Sequence, residues 1–385
     1  MSYYVPSARY APLRVEIDPN RPVRVAIIGT GIGAAVHIPV FRQLEETEIV
    51  AIGSRRIERA KEMADRHRIE LPSDDYREIV DHPDVDAVVI ATPPYLHHTI
   101  AIAAIEAGKH VLCEKPMARN LAEARDMVNL ARTADVTAVV NHEYRYMPAR
   151  HHVKTIIDEG FLGTPQSASI VVYRSSLADP RGRPFSWLME RDKAGGMLAA
   201  SGSHYIDLLR WWFGDIKAVA GLTATMVPQR HLPDSSEMAH VDADDNFSLM
   251  LRFQNGAIGT IHVCATAASD AGEEITLAGS AGMILLQGDG ALWGARSGDA
   301  GLFEIDVPRG PERKLPEFGH ILARPTALLA MDWIHAIRTG DPPAQLPTFE
   351  DGARVQEIID GVHRSSAQGR WIDTSGTRWP VSRGF

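Results

Sequence analysis

The chain has 385 residues and only two cysteines, Cys113 and Cys264. Two thiols cannot build a disulfide framework, and such sparing use suits a reducing compartment, so a cytoplasmic location is expected. No apolar stretch approaches the roughly 20 residues of a bilayer-spanning helix. Residues 1–22, MSYYVPSARYAPLRVEIDPNRP, lack the apolar h-region of a signal peptide. They read as an N-terminal extension, either loose or packed on a neighbouring subunit. No run of Lys and Arg offers a phosphate footprint, and the net charge of −9 argues against a nucleic-acid partner. Internal repeats and low-complexity tracts are absent. The histidines show no His-x-x-x-His spacing and there is no Cys-x-x-Cys. The neighbours His97-His98 and His151-His152 point different ways on a helix, so no metal site is expected.

What is present is ordinary globular material, 45% hydrophobic and 23% charged, in a chain long enough for two domains. From residue 23 the pattern alternates. Candidate strands are Val23–Gly29, Ile49–Ser54, Ala87–Ala91, His110–Cys113 and Thr137–Asn141. Candidate helices are Ala34–Leu44, Ile57–Arg68, His97–Ala107 and Leu121–Thr133. Near-continuous apolar strands alternating with helices predict a doubly wound parallel sheet of Rossmann type over 23–145. Beyond residue 146 strands dominate: Ser167–Arg174, Ile216–Met226, Phe247–Gln254, Ala257–Thr266, Glu274–Ala278 and Met283–Gln287. Asn255-Gly256 marks a hairpin between two of them. Helices are expected over Ala149–Glu159, Ser203–Phe213, Thr326–Thr339 and Phe349–Ala367. Residues 146–385 therefore read as an α+β domain with a large, mostly antiparallel open sheet.

Three segments carry chemistry. The first strand runs into Gly29-Thr30-Gly31-Ile32-Gly33-Ala34, a strand-to-helix turn that suits a dinucleotide pyrophosphate. Gly29 makes the turn, Gly31 lets backbone approach phosphate, and Ala34 allows close packing. Sites that prefer NAD place a carboxylate at the tip of the second strand; here the tip reads Ser54-Arg55-Arg56. A hydroxyl and two guanidiniums suit a 2′-phosphate, so NADP(H) is favoured and NAD(H) remains possible, although a solvated first helical turn has the same composition. Ala91-Thr92-Pro93 ends the third strand beside that site, with His97 at the next helix start. The second segment is Glu114-Lys115-Pro116 after the strand His110–Cys113. A lysine there sits at the ligand-binding rim of a parallel sheet, and desolvation lets it move a proton. The third is Gly195–Asp207, a small-residue loop entering a helix with His204 and Asp207 three apart on one face. His204 is equally explained as a proton carrier or a helix-start cap.

These motifs resemble the Gfo/Idh/MocA oxidoreductases, through IIGTGIGAAVHIP, ATPPYLHH, AGKHVLCEKPMA, EYRYMPA, DEGFLGTPQS and GGMLAASGSHYIDLLRWWFG. The resemblance implies hydride transfer to or from sugars, inositols or related cyclic substrates. It also implies homodimers or homotetramers formed through the C-terminal sheet. By resemblance Lys115 contacts the reacting oxygen, Glu114 stands near the cofactor and His204 is the acid/base. Arg145 borders the substrate pocket and Trp187 leans on the cofactor; Tyr144 and, on the helix face of His204, Asp207 are further substrate-site candidates. The chain departs from the pattern at Leu188, where an arginine is usual, and at Ala200, where an aspartate usually stands four residues before the histidine. Ser201, Ser203 or Asp207 are candidate substitutes. A relict NADP-binding sensor and an enzyme that retains its cofactor stay open as alternatives. The segment Ser175–Trp187 reads as a substrate wall or a plain surface loop.

Overall fold

The computed structural model describes residues 17–288, 290–308 and 315–374, so most of the N-terminal extension lies outside the described residues. They form two compact units. In the first, six parallel strands lie in the order β3-β2-β1-β4-β5-β6: β1 (Val23–Ile28), β2 (Thr47–Gly53), β3 (Leu71–Ser73), β4 (Ala87–Ile90), β5 (His110–Cys113) and β6 (Ala138–Val140). Strands β4 and β5 are buried along their whole length, because helices cover both faces of such a sheet. The order reverses between β1 and β4, and ligands of open α/β sheets bind outside the strand ends at that point. The helices are α1 (Ile38–Phe41), α2 (Ile57–His67), α3 (Tyr76–Val80), α4 (His97–Glu106) and α5 (Leu121–Ala134).

One helix differs from expectation. In place of a continuous helix over Ala34–Leu44, a π-helical turn spans Gly33–His37 and α1 follows with four residues. Pro39 has no N–H for the carbonyl of Ala35, and the Ile38 N–H bonds back to Gly33 O instead.

The second unit holds a nine-stranded sheet in the order β16-β15-β14-β13-β7-β12-β11-β8-β17. Its strands are β7 (Pro165–Tyr173), β8 (Ile216–Ala224), β11 (Asn246–Phe253), β12 (Ile258–Cys264), β13 (Gly272–Gly279), β14 (Gly282–Gln287), β15 (Ala291–Arg296), β16 (Phe303–Glu304) and β17 (Ile372–Asp373). Strands β9 (Gln229–His231) and β10 (Met238–His240) form a separate ribbon. All pairings in the large sheet are antiparallel except β7 with β12. The hairpin at Asn255-Gly256 joins β11 to β12. Strict alternation in β11 buries Phe247, Leu249, Leu251 and Phe253 and exposes Ser248, Met250 and Arg252. The buried face packs on α7 (Ser203–Phe213), and α6 (Pro148–Asp158) joins the same core.

The two late helices belong to different units. Helix α8 (Ala323–Thr339) lies in the first unit, not in a second domain running from 146 to 385. Its Trp333 is fully buried, meets Phe41 edge-on at 6.2 Å and donates its indole N–H to Thr137 O. Helix α9 (Phe349–Gln368) packs Val355, Ile358, Ile359 and Val362 into the core of the second unit.

Candidate active site

Gly29 follows β1 with φ +119°, and a Cβ there would sit 2.2 Å from Ala91 O, so the crossing of the β1 and β4 ends requires glycine. Gly31 is exposed, and a Cβ on it would meet nothing within 4 Å. This open backbone fits a pyrophosphate held close to the main chain. Thr30 Oγ1 donates to Ser54 Oγ at 3.4 Å, tying the β1 turn to the β2 tip. Thr30 and Gly31 then line an open groove of 690 Å³ with Arg56, Glu58, Arg59 and Glu62. Arg59 pairs with Glu62, and Arg55 Nη1 donates to Tyr95 Oη at 3.3 Å.

Two residues expected at the cofactor serve as braces. His97 is fully buried; its Nδ1 lies 3.0 Å from Pro116 O and its Nε2 2.8 Å from Thr92 O. Burial pushes its pKa down, while the two carbonyls, each of which only an N–H can satisfy, pull it up; the buried ring lies between the loops after β4 and β5. Glu114 is buried too, with Oε1 2.8 Å from His37 Nε2 and accepting from Asn141 Nδ2 at 2.9 Å. Burial raises this carboxyl, but the His37 hydrogen bond and the charges of His37 and Lys115 outweigh it and hold it at about 2. The anchored carboxylate also accepts from the Lys115 N–H at 3.2 Å. Half-buried Lys115 thus leaves β5 on a fixed backbone, at the same sheet edge as the Gly29–Gly31 turn.

In the second unit the loop before α7 is held by Asp244, whose Oδ2 accepts from Leu198 N–H at 2.8 Å. A Cβ on Gly196, which has φ +97°, would sit 2.3 Å from Asp244 Oδ1. Leu198–Gly202 forms a second π-helical turn and feeds directly into α7. Ala200 and Trp187 both pack on an apolar cluster of Leu177, Leu188, Met189, Val241 and Ala265. His204 is buried, stacked on Tyr144 with ring centroids 3.9 Å apart and planes at 11°. The Arg150 guanidinium lies over the same tyrosine, 4.0 Å from its centroid. Glu143 Oε1 is 3.7 Å from His204 Nε2.

Arg145 and Asp207, both expected to face substrate, are paired with each other. Asp207 accepts from Arg145 Nε at 2.7 Å and Nη2 at 2.6 Å, and both are buried. Burial lowers the Arg145 pKa, but the charges of Asp207 and Asp351 raise it further, so the guanidinium stays charged. Asp207 thus turns to Arg145, not to His204.

Residues 23–142 match the model of an oxidoreductase family with an NAD-binding Rossmann fold, and residues 151–285 match the GFO/IDH/MocA C-terminal domain. The chain belongs to the GFO/IDH/MocA oxidoreductase family. It is therefore an oxidoreductase with a nicotinamide-dinucleotide fold. Levoglucosan dehydrogenase of Pseudarthrobacter phenanthrenivorans is 32% identical over 91% of this chain and 98% of its own length. An uncharacterized oxidoreductase of Synechocystis sp. is 30% identical over 92% of this chain and 96% of its own. The structure of levoglucosan dehydrogenase in complex with NADH and levoglucosan superposes with a TM-score of 0.83 at 30% identity, covering 92% of this chain and 99% of that one.

Several residues of this GFO/IDH/MocA member escaped the sequence reading. Arg230 is buried and donates to the carbonyls of Leu177, Asp179 and Arg183, pinning the segment Ser175–Trp187 from the β9 strand. Glu273 accepts from Arg150 at 2.6 Å and from the Tyr205 hydroxyl. Nothing in their local patterns marks them, because their partners lie 47 to 123 residues away. Glu143 stood inside a motif already noted, yet only the fold brings it to His204. No cluster of metal-ligating side chains occurs among the described residues. No helix among them is long and apolar enough to cross a membrane.

Proposed function

We propose that this chain is an NADP(H)-preferring dehydrogenase or reductase acting on a sugar-like or other cyclic hydroxy or keto compound. One observation carries the reading: Lys115, on a braced backbone, leaves the same sheet edge as the open Gly29–Gly31 turn. Similarity to a levoglucosan dehydrogenase supports the substrate class. Ser54, Arg55 and Arg56 at the β2 tip, with no carboxylate among them, support a cofactor bearing a 2′-phosphate.

Ala91, Thr92, Pro93 and the backbone of Thr30–Ile32 would hold the dinucleotide. Bound there, its nicotinamide supplies or accepts hydride. Lys115 is the group proposed to hold the reacting oxygen, so that charge building on that oxygen meets a donor. His204 is the proposed proton carrier, taking the hydroxyl proton in oxidation and returning it in reduction. Trp187 is proposed to lean on the cofactor. The free thiols Cys113 and Cys264 support a reducing cytoplasm as the compartment. Pairing of two copies through the outer face of the large sheet completes the proposal, supported by exposed Tyr173, Leu222, Met250 and Ile258.

The test is a thermal-shift titration with NADPH, NADP⁺, NADH and NAD⁺, followed by a polyol and sugar screen at 340 nm. The proposal expects the largest shift with NADP(H), a loss of that preference in Arg55→Ala, and turnover that Lys115→Met abolishes while cofactor still binds. A preference for NAD(H) overturns the cofactor assignment. Cofactor binding without turnover of any substrate favours the sensor reading. Cofactor released only on denaturation, with no net absorbance change, favours the retaining enzyme.

A further inference from the structure

A buried imidazole proposed to move protons needs a partner that sets its orientation and its affinity for the proton. Around His204 the second unit supplies three neighbours from one short segment. Tyr144 stacks on one face at 3.9 Å, His142 meets the ring edge-on at 5.8 Å, and Glu143 brings Oε1 within 3.7 Å of Nε2. Arg150 lies beyond, on Tyr144, and is itself paired with Glu273. The carboxylate nearest along α7, Asp207, is paired with Arg145. Position 200 holds an alanine packed among apolar side chains. Glu143 and His204 are each almost wholly buried, so their interaction is weakly screened by water.

We propose that Glu143 is the positioning carboxylate of His204. It holds the imidazole from the Nε2 side and favours the charged ring, while Tyr144 fixes the ring plane. The proposal deepens the assignment of His204 as proton carrier and rests on it for its catalytic meaning. The pairing itself is testable without turnover.

The experiment is a pH titration of the full chain labelled with ¹⁵N in its histidine rings, with His204 assigned from the spectrum of His204→Gln. Removing the negative charge in Glu143→Gln should lower the proton affinity of His204 by about tenfold or more, since a nearby opposite charge favours the charged form. Glu143→Asp keeps the charge at a longer reach and should recover part of that loss. If Glu143→Gln does not fold, the smaller drop in Glu143→Asp is the deciding readout. A His204 titration unchanged in both variants overturns the proposal. With a substrate in hand, Glu143→Gln should move the acid limb of kcat/KM, whereas a merely structural role would lower the rate alike at every pH. Absence of any turnover in the unaltered protein would sink the assignment of His204 as proton carrier, while the titration would still decide the pairing.

Discussion

Asp244 is a carboxyl group in a place water does not reach. Burial pushes its pKa up to about 7, although the Leu198 N–H pulls the other way. In the unfolded chain an aspartate gives up its proton near pH 4. Between about 4 and 7, then, the unfolded chain is ionised while the folded one still holds the proton, and stability falls as pH rises through that window. Asp244→Asn keeps an acceptor for Leu198 and has no proton to lose. It should therefore gain stability relative to the parent from pH 5 to pH 8, by about 3 kcal/mol. Urea unfolding at both pH values measures the gain, and parallel stabilities at the two would count against it. Glu114 has the opposite sign. Held at about 2, it contributes stability that is present above the ordinary glutamate range and lost as pH falls toward 2.

At the scale of elements, α8 is the informative case. Its amphipathic pattern reads clearly from the chain, and the structure confirms a helix there, beginning at Ala323. Which unit receives its apolar face is not written in that pattern, because a stripe of Leu, Ala, Trp and Ile suits any core of matching shape. The first unit takes it through Trp333, Phe41 and the Thr137 carbonyl. Trp333→Ala should cost about 3–5 kcal/mol, measured as a lowered urea midpoint. It should also weaken cofactor binding, because α1 beneath Trp333 follows the phosphate turn. A cost below about 1 kcal/mol would mean that α8 is not part of that core. Elsewhere, the strands and helices longer than four residues were largely legible. Short or irregular pieces such as β3, the β9–β10 ribbon and the two π-helical turns were not. Three-residue strands carry no period, and a π turn differs from an α turn only in which carbonyl is reached.

For the whole molecule, the outer face of the nine-stranded sheet is the surface proposed for pairing of two copies. Ladder register sets Leu222 opposite Ser248, Met250 opposite Thr260 and Ile258 opposite Ser167, giving an apolar surface with small hydroxyls and few charges. In the proposed dimer two such faces would bury each other at low desolvation cost. The double variant Leu222→Asp, Met250→Asp should shift the proposed oligomer toward monomer in light scattering, with the near-ultraviolet spectrum of the folded chain retained. An unchanged mass would place the contact elsewhere.

The sequence by itself determined what depends on near neighbours: the strand–helix alternation, the Gly29–Gly31 turn, the Lys115 position after β5 and the Asn255-Gly256 hairpin. Each follows from backbone sterics or a periodicity a few residues long. Only the tertiary structure decided which charges meet. Arg145 pairs with Asp207 across 62 residues, His37 with Glu114 across 77, and Glu143 approaches His204 across 61. Side-chain pairing in a core is set by where packing brings the chain back upon itself, and no local rule of spacing carries that information.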